Sequence, residues 1–113
     1  MAKEKKKWQP KHTIKVKAVR GADGVTTVKA LISHPMDSGF EFTYDFVPIP
    51  AHFIETLTFV HNDKTVFRCN WGPAVAKDPF LSFKFGGAKA GDSLDAKWVD
   101  NEGMRDSGHF TIA

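Results

Sequence analysis

Apolar and polar residues alternate along most of this chain. Near its start, Ile14, Val16 and Ala18 alternate with lysines, so the period is two residues. Successive side chains of a β-strand point to opposite faces, and this period therefore predicts strands with one buried face. Runs of the same character occupy the stretches 13–20, 25–33, 54–61, 64–71, 80–85, 93–100 and 108–112. No stretch shows the 3.6-residue period of an amphipathic helix.

The strongest local signal is a hairpin over residues 54–71. Asn62 and Asp63 separate two β-branched and aromatic runs, and both residue types tolerate the left-handed backbone of a tight turn. Alternation then places five apolar side chains on one face, which we expect to be buried. They are Leu57, Phe59, Phe67, Cys69 and Trp71.

Seven to eight short strands separated by turn residues predict an all-β protein. The pattern is typical of an immunoglobulin-like antiparallel β-sandwich, and 113 residues suit a single domain. We predict that residues 13–113 form this sandwich. Four aromatic residues are the candidates for the core between the sheets: Trp71, Trp98, Phe67 and Phe83.

Residues 40–47 form an unusually aromatic segment. Phe40, Phe42, Tyr44 and Phe46 fall on one side of an extended chain, and Pro48 with Pro50 stiffens the approach to the hairpin. We interpret the segment as a strand or hairpin arm whose aromatic face either covers the sandwich or meets a partner.

Charge is concentrated at the start of the chain. Residues 1–20 contain eight Lys or Arg and one Glu, whereas the remainder holds more acidic than basic residues. The cluster 3–7 is compatible with an anionic surface or nucleic acid, but we favour a solvated, partly disordered end. No aromatic-studded groove or binding motif follows it. We expect residues 1–12 to be a flexible basic arm that does not bind nucleic acid.

The sequence also gives information on the cellular compartment. No run approaches the ~20 apolar residues of a membrane span, so we predict no membrane insertion. The charged first ten residues are not a secretory signal, since no apolar segment follows them. Cys69 is the single cysteine and cannot form an internal disulfide. Taken alone, these features indicate a cytoplasmic protein.

Candidate chemistry is sparse. The five histidines are His12, His34, His52, His61 and His109. None is paired at a metal-ligand spacing, and each lies at a strand end or turn, where an exposed or capping histidine is ordinary. We therefore predict no metal site and no bound cofactor.

The sequence offers no convincing candidate for a catalytic nucleophile either. Cys69 lies in a strand among apolar neighbours, which raise a thiol's pKa and hide it from substrate. Gly86, Gly87 and Gly91 precede no helix that could hold a phosphate, so they are turn residues. We predict no catalytic residue and a protein that is not an enzyme.

Several separate blocks of the sequence resemble the SoxZ family at collinear spacing. They cover nearly the whole chain from about Thr13, and several blocks in order are more specific than any single motif. The blocks are Leu31–Gly39, Ile49–Ile54, Trp71–Phe83, Ala88–Asp92 and Trp98–Asn101. The sequence departs from the family in two places. The aromatic segment 40–47 replaces a more polar loop, and Cys69 stands where a small residue without a thiol is expected.

The resemblance implies an immunoglobulin-like sandwich without an active site. SoxZ is the non-carrier subunit of the SoxYZ sulfur-carrier complex of thiosulfate oxidation. Its partner, SoxY, carries sulfur intermediates on a cysteine at the end of a glycine-rich arm. This chain ends at residues 110–113, inside its last predicted strand and without such an arm, so it is similar to the Z subunit. The family further implies export with a signal-bearing SoxY, hence the periplasm.

On this basis the expected function is that of a non-catalytic subunit in a heterodimer with a SoxY-type carrier, which other sulfur-oxidation enzymes visit transiently. The candidate interface residues are Met36, Phe40, Phe42, Tyr44, Phe46, Pro48 and Pro50. An alternative is a stand-alone binding module whose basic arm engages an acidic partner. A third, an enzyme using Cys69, predicts turnover of thiosulfate or a persulfide by this chain alone.

Overall fold

The computed structural model describes residues 8–113, and the first part of the expected basic arm lies outside them. Seven strands follow one another without a helix in this range. They are β1 (Ile14–Arg20), β2 (Val25–Ile32), β3 (Ile54–His61), β4 (Lys64–Asn70), β5 (Phe80–Gly86), β6 (Ser93–Asp100) and β7 (Arg105–Thr111). No segment of residues 8–113 is a helix long and apolar enough to cross a membrane.

The strands form two antiparallel sheets, which confirms the predicted sandwich. One sheet has the order β1-β2-β5 and the other the order β4-β3-β6-β7. The β3–β4 hairpin turns at Asn62 and Asp63, whose φ angles are 47° and 62°. Two successive left-handed residues give the turn the twist that suits flanking strands. This turn was predicted correctly.

The core fills the space between the sheets. Leu57 and Phe59 of β3 lie beside Trp98 of β6, and all three are buried. They pack against inward residues of the other sheet, namely Val28, Ala30 and Ile32. The alternation of buried and exposed residues along β2 and β6 follows the period read from the sequence.

The sandwich is closed on one side and open on the other. On the closed side β1 meets the end of β7, where the Ala113 amide donates a hydrogen bond of 2.9 Å to the Ala18 carbonyl. On the open side, β4 and β5 are edge strands without a fully buried residue. Phe67 and Phe83 stack there with ring centroids 4.4 Å apart. Phe67, Phe83, Cys69 and Trp71 are therefore half-buried flanks of the core, whereas Trp98 is its centre.

One predicted strand boundary was wrong, and the segment interpreted as a strand or hairpin arm is not a regular strand but a short irregular hairpin. The last strand begins at Arg105, three residues before Gly108, because the polar residues 105–107 pair with residues 97–99 of β6. The segment 40–47 is not a strand: its only ladder contact in the described chain is an isolated bridge between Phe42 and Pro48. Its aromatic side chains do not cover the sandwich, since they remain exposed.

Candidate functional site

The segment 40–47, here called the aromatic loop, is a short irregular hairpin. The Thr43 amide donates to the Val47 carbonyl at 2.8 Å, and the Phe46 amide donates back to the Thr43 carbonyl at 2.9 Å. The Thr43 hydroxyl also accepts the Val47 amide at 3.1 Å. Phe46 has a φ of 63°, which closes the turn. These bonds link the two sides of the loop through its backbone.

The aromatic side chains of this loop are almost fully exposed. The exposed fraction is 84% for Phe40, 62% for Phe42, 97% for Tyr44 and 85% for Phe46. Isolated exposed apolar residues are ordinary, but four large exposed rings within seven residues are an unusual concentration of apolar surface. This exposed aromatic surface is the candidate interaction surface of the chain.

The base of the loop is fastened by a backbone bridge. The amides of Asp37 and His52 each donate to the other's carbonyl, at 2.7 and 2.9 Å. Just inside this bridge Gly39 has a φ of 87°, and a Cβ there would lie 3.0 Å from the Cβ of Ala51. A side chain at position 39 would strain the backbone and press on Ala51. The two ends of the loop therefore enter and leave side by side.

Beneath this bridge, two histidines converge on one buried carboxylate. His34 Nε2 and His52 Nε2 lie 3.0 and 2.7 Å from the same oxygen, Oδ2 of Asp100. The other oxygen, Oδ1, accepts the amides of Glu102 and Met104 at 3.0 and 2.8 Å. Both carboxylate oxygens are satisfied, as a buried anion requires. One side chain at the end of β6 thus ties down both ends of the segment that carries the loop.

Hydrogen bonding fixes the proton positions on His34. The Met36 amide donates to His34 Nδ1 at 3.0 Å, so this nitrogen carries a lone pair. The proton of the neutral ring is then on Nε2, where it is donated to Asp100. His52 differs, because its Nδ1 lies 3.0 Å from Glu102 Oε2 while its Nε2 faces Asp100. Both contacts are hydrogen bonds only when the ring of His52 is protonated on both nitrogens.

The environment shifts the pKa of two members of this cluster. Burial lowers the pKa of His34, and the neighbouring His52 lowers it further, against an opposing hydrogen bond to Asp100. For Asp100, burial acts to raise the pKa, but the hydrogen bonds from His34, His52 and the Met104 amide outweigh it and lower the pKa. The arrangement that results is a neutral His34 beside an ionised Asp100.

This cluster also brings together three side chains of the types that bind metal ions. Ligand atoms of His34, His52 and Asp100 all lie within 4.8 Å of one another. A neutral imidazole that binds a metal through Nε2 must carry its proton on Nδ1. On His34 that nitrogen already accepts the Met36 amide, and two donors would then face each other. The positions of donors and acceptors therefore fit a hydrogen-bond network better than a metal centre.

Aromatic rings enclose the cluster and exclude water. Trp8 packs edge-on against His34 and His52, at ring-centroid distances of 5.0 and 5.6 Å, and stacks on Trp98. Trp98 Nε1 donates to the Thr13 hydroxyl at 2.9 Å, and that hydroxyl donates to Asp106 at 2.6 Å. This relay anchors the residues before β1 to the β6–β7 hairpin.

The structure separates the predicted interface residues into two groups. Phe40, Phe42, Tyr44, Phe46, Pro48 and Pro50 are exposed on or beside the aromatic loop. Met36 is 5% exposed, and its sulfur accepts the Ile54 amide at 3.4 Å. Met36 supports the loop from below and is not available to a partner, so we remove it from the candidate surface.

The interpretation of the histidines as exposed or capping residues was wrong for three of them. His34, His52 and His61 are buried, and His61 bonds to Asp92 at 2.9 Å. Residues 34, 52 and 100 lie far apart in the sequence, so no local spacing signals their meeting. The available signal was indirect: a histidine flanks each side of an exposed loop, and Asp100 ends a strongly alternating strand.

Cys69 behaves as expected from its place in β4. It is half-buried beside Phe67 and Trp71, and burial raises the pKa of its thiol. No histidine among residues 8–113 is hydrogen-bonded to it. The thiol is a packing group in this geometry.

Taken together, the fold and the site define an all-β sandwich with an exposed aromatic loop. The chain belongs to the SoxZ family: the family described as "Sulphur oxidation protein SoxZ" matches residues 14–111, nearly the whole chain. The resemblance seen in the sequence is thereby confirmed, and membership places the protein among sulfur-oxidation subunits. A comparison with curated protein sequences gives no significant match.

Solved structures support the same architecture. A superoxide reductase (neelaredoxin) from Ignicoccus hospitalis is 20% identical with a TM-score of 0.60, over 89% of this chain and 79% of that one. A superoxide reductase (neelaredoxin) from Archaeoglobus fulgidus in the reduced form is 22% identical with a TM-score of 0.56, over 92% and 91%. At these identities the likeness concerns the fold alone.

Proposed function

We propose that this protein is the non-catalytic subunit of a sulfur-carrier heterodimer, and that it binds a SoxY-type carrier through the aromatic loop. Membership of the SoxZ family supports the partner class. The observation that carries the proposal is the exposure of four aromatic side chains on a loop whose backbone is hydrogen-bonded across its turn. A preorganised apolar patch loses little conformational entropy on binding, which favours affinity.

The charge around the loop indicates the character of the partner surface. Glu41 and Asp45 lie between the aromatic residues, and the sequence contains no Lys or Arg between Lys29 and Lys64. A complementary surface would offer apolar pockets for the rings and basic groups at its rim. Tyrosine and phenylalanine in such pockets are the usual energetic centre of an interface.

In this proposal the chain acts as a support and carries out no chemistry itself. The half-buried Cys69, with its raised pKa, is poorly placed to take up sulfur. The reactive cysteine would lie on the carrier's mobile arm, and sulfur-oxidation enzymes would visit that arm while this subunit holds the carrier in place. Export together with a signal-bearing carrier would bring the complex to the periplasm.

The test is a binding measurement with a purified SoxY-type carrier. The wild-type chain should form a stable 1:1 complex at micromolar concentration, measured by calorimetry. Replacing Phe42→Ser and Tyr44→Ser together should raise the dissociation constant more than tenfold, because buried aromatic anchors contribute about 2 kcal/mol or more each. The fold should be unaffected, since both side chains are exposed.

Phe80→Ser is the matched control. Phe80 is 63% exposed and lies on β5, outside the aromatic loop. Its replacement should leave carrier binding within about twofold, since a change outside the contact alters little. Equal losses in the loop variant and in the control, or no complex with the wild-type chain, would refute the proposal.

A further inference from the structure

The outer face of the β1-β2-β5 sheet carries an unusual concentration of lysines. Strand register places nine outward positions in three rows of three, which we call the lysine face. The rows are Lys15–Leu31–Phe80, Lys17–Lys29–Ser82 and Val19–Thr27–Lys84. Four of the nine are lysines, none is acidic, and Val19, Leu31 and Phe80 are exposed apolar residues around them.

The lysines of this face repel one another. Lys17 is directly opposite Lys29 in the β1–β2 register, and Lys15 and Lys84 are diagonal neighbours of Lys29. Like charges in directly opposed positions destabilise a sheet. Within residues 8–113 none of these four lysines forms an ion pair with a carboxylate. The face is thus an uncompensated positive surface that gains stability when an anionic group covers it.

The same chain presents a surface of matching chemistry. The aromatic loop combines exposed rings with Glu41 and Asp45 and has no basic residue. Carboxylates on it can pair with lysine ammonium groups, and its rings can lie over lysine stems and beside Leu31 and Phe80. The two surfaces are complementary both in charge and in apolar content.

We propose that two copies of this chain associate, with the aromatic loop of one copy seated on the lysine face of the other. The occupant of the lysine face is therefore a second copy, and the loop has a partner when no carrier is bound. Two different surfaces meet in such a contact, so it closes in a twofold pair or a larger ring, and otherwise extends into chains. This inference goes beyond the proposed function and does not require it.

Sedimentation equilibrium of the full chain tests the association. Copies should associate at low salt, about 0.05 M, and separate at about 1 M, where the screening length falls to about 3 Å. Changing Lys17→Glu and Lys29→Glu together should weaken association at least tenfold, and so should changing Glu41→Lys and Asp45→Lys together. Mixing these two charge-reversed proteins should restore it, because each then offers the charge that the other lacks.

Lys97→Glu is the matched control, since Lys97 is an exposed lysine on β6 in the other sheet. It should leave association unchanged, and urea unfolding of every variant should show that it is folded. A wild-type chain that stays monomeric at low salt overturns the proposal. So does an equal effect of Lys97→Glu, or a failure of the mixed reversed proteins to associate.

Two further experiments distinguish self-association from carrier binding and from binding of a polyanion. A SoxY-type carrier should bind the Lys17→Glu, Lys29→Glu protein normally and should dissociate wild-type self-assemblies, because it competes for the loop. Failure of carrier binding with intact self-association would refute only the proposed function. Duplex DNA binding that is lost in the Lys17→Glu, Lys29→Glu protein, without any self-association, would assign the face to a polyanion instead.

Discussion

Asp100 shows how one residue organises a site that is distant in sequence. Its two oxygens accept four hydrogen bonds, two from histidine rings and two from backbone amides. Sequence alone identified Asp100 only as the end of a strand, because nothing local distinguishes a capping aspartate from a buried anion. The meeting of residues 34, 52 and 100 depends on register between strands and on the path of a loop, which pairwise spacing cannot supply.

Replacing Asp100→Asn tests this role. The amide would present a donor to two histidine nitrogens that already donate, so part of the network would be lost. Breaking a buried, charge-assisted set of this kind should reduce the free energy of unfolding by about 3 kcal/mol. Urea unfolding monitored by tryptophan fluorescence measures it. The matched Asp95→Asn change, at an exposed position on the same strand, should cost less than about 0.5 kcal/mol. Equal effects would contradict the assignment.

The pKa shifts predict how stability depends on pH. The pKa of His34 lies below its ordinary value of 6.5, so an unfolded chain takes up a proton there that the folded chain resists. Stability should therefore fall as pH drops below 6.5. The pKa of Asp100 is also lowered, from 3.8, so its contribution is lost only as the solution becomes more acidic than that value.

Replacing His34→Asn should remove the loss of stability below pH 6.5. The side-chain oxygen of the asparagine can still accept the hydrogen bond from the Met36 amide. The measurement is the urea midpoint between pH 7.5 and pH 5 for the wild type and the variant. His109→Gln, at an exposed position, is the control and should keep this loss of stability. A His34→Asn protein with the wild-type slope would refute the account.

At the scale of elements, the β3–β4 hairpin could be predicted from its turn residues, whereas the structure of the aromatic loop could not be predicted from its alternation. Asn62 and Asp63 supply the two left-handed residues of the turn, and both residue types can be recognised in the sequence. The aromatic loop alternates like a strand, but no neighbouring strand receives its hydrogen bonds. A period of two is typical of a strand with one buried face, but it is not sufficient to make a strand, because a ladder needs a partner.

The turn offers a direct test of backbone strain. Asp63→Gly should raise the free energy of unfolding by about 0.5 kcal/mol, because glycine adopts a φ near 62° without steric cost. Thr65→Gly, two residues later within β4, should instead destabilise by about 0.5–1 kcal/mol. Thermal unfolding of both variants gives the answer. A loss of stability from Asp63→Gly would show that the aspartate side chain, not the backbone, stabilises the turn.

For the whole molecule, alternation and turn residues sufficed to predict a two-sheet sandwich, but not which side of it is open. Trp98 was correctly predicted as core, since it lies on a central strand. Phe67, Trp71 and Phe83 were placed equally deep, yet they lie on or beside edge strands and remain half-buried. Sequence reports which face of a strand is apolar and does not report whether the strand has one neighbour or two.

This asymmetry should appear in amide hydrogen exchange. Amides of β3 and β6, which have neighbours on both sides, should exchange most slowly. Amides of β4 and β5 that point away from their single neighbour should exchange faster by orders of magnitude. Mass spectrometry of peptides covering 54–61 and 64–70 makes the comparison. Equal protection of the two would mean that the open side is covered in solution, as it would be by another chain.

The paired anchoring of residues 37 and 52 has a practical consequence for engineering. The two ends of the intervening segment are held from outside residues 40–47, by the backbone bridge itself and by the bonds of His34 and His52 to Asp100. The stretch between Phe40 and Val47 can therefore be exchanged for unrelated peptides, as in antibody hypervariable segments, with the framework left unaltered. A display library built at this one place would turn the scaffold into a general binder.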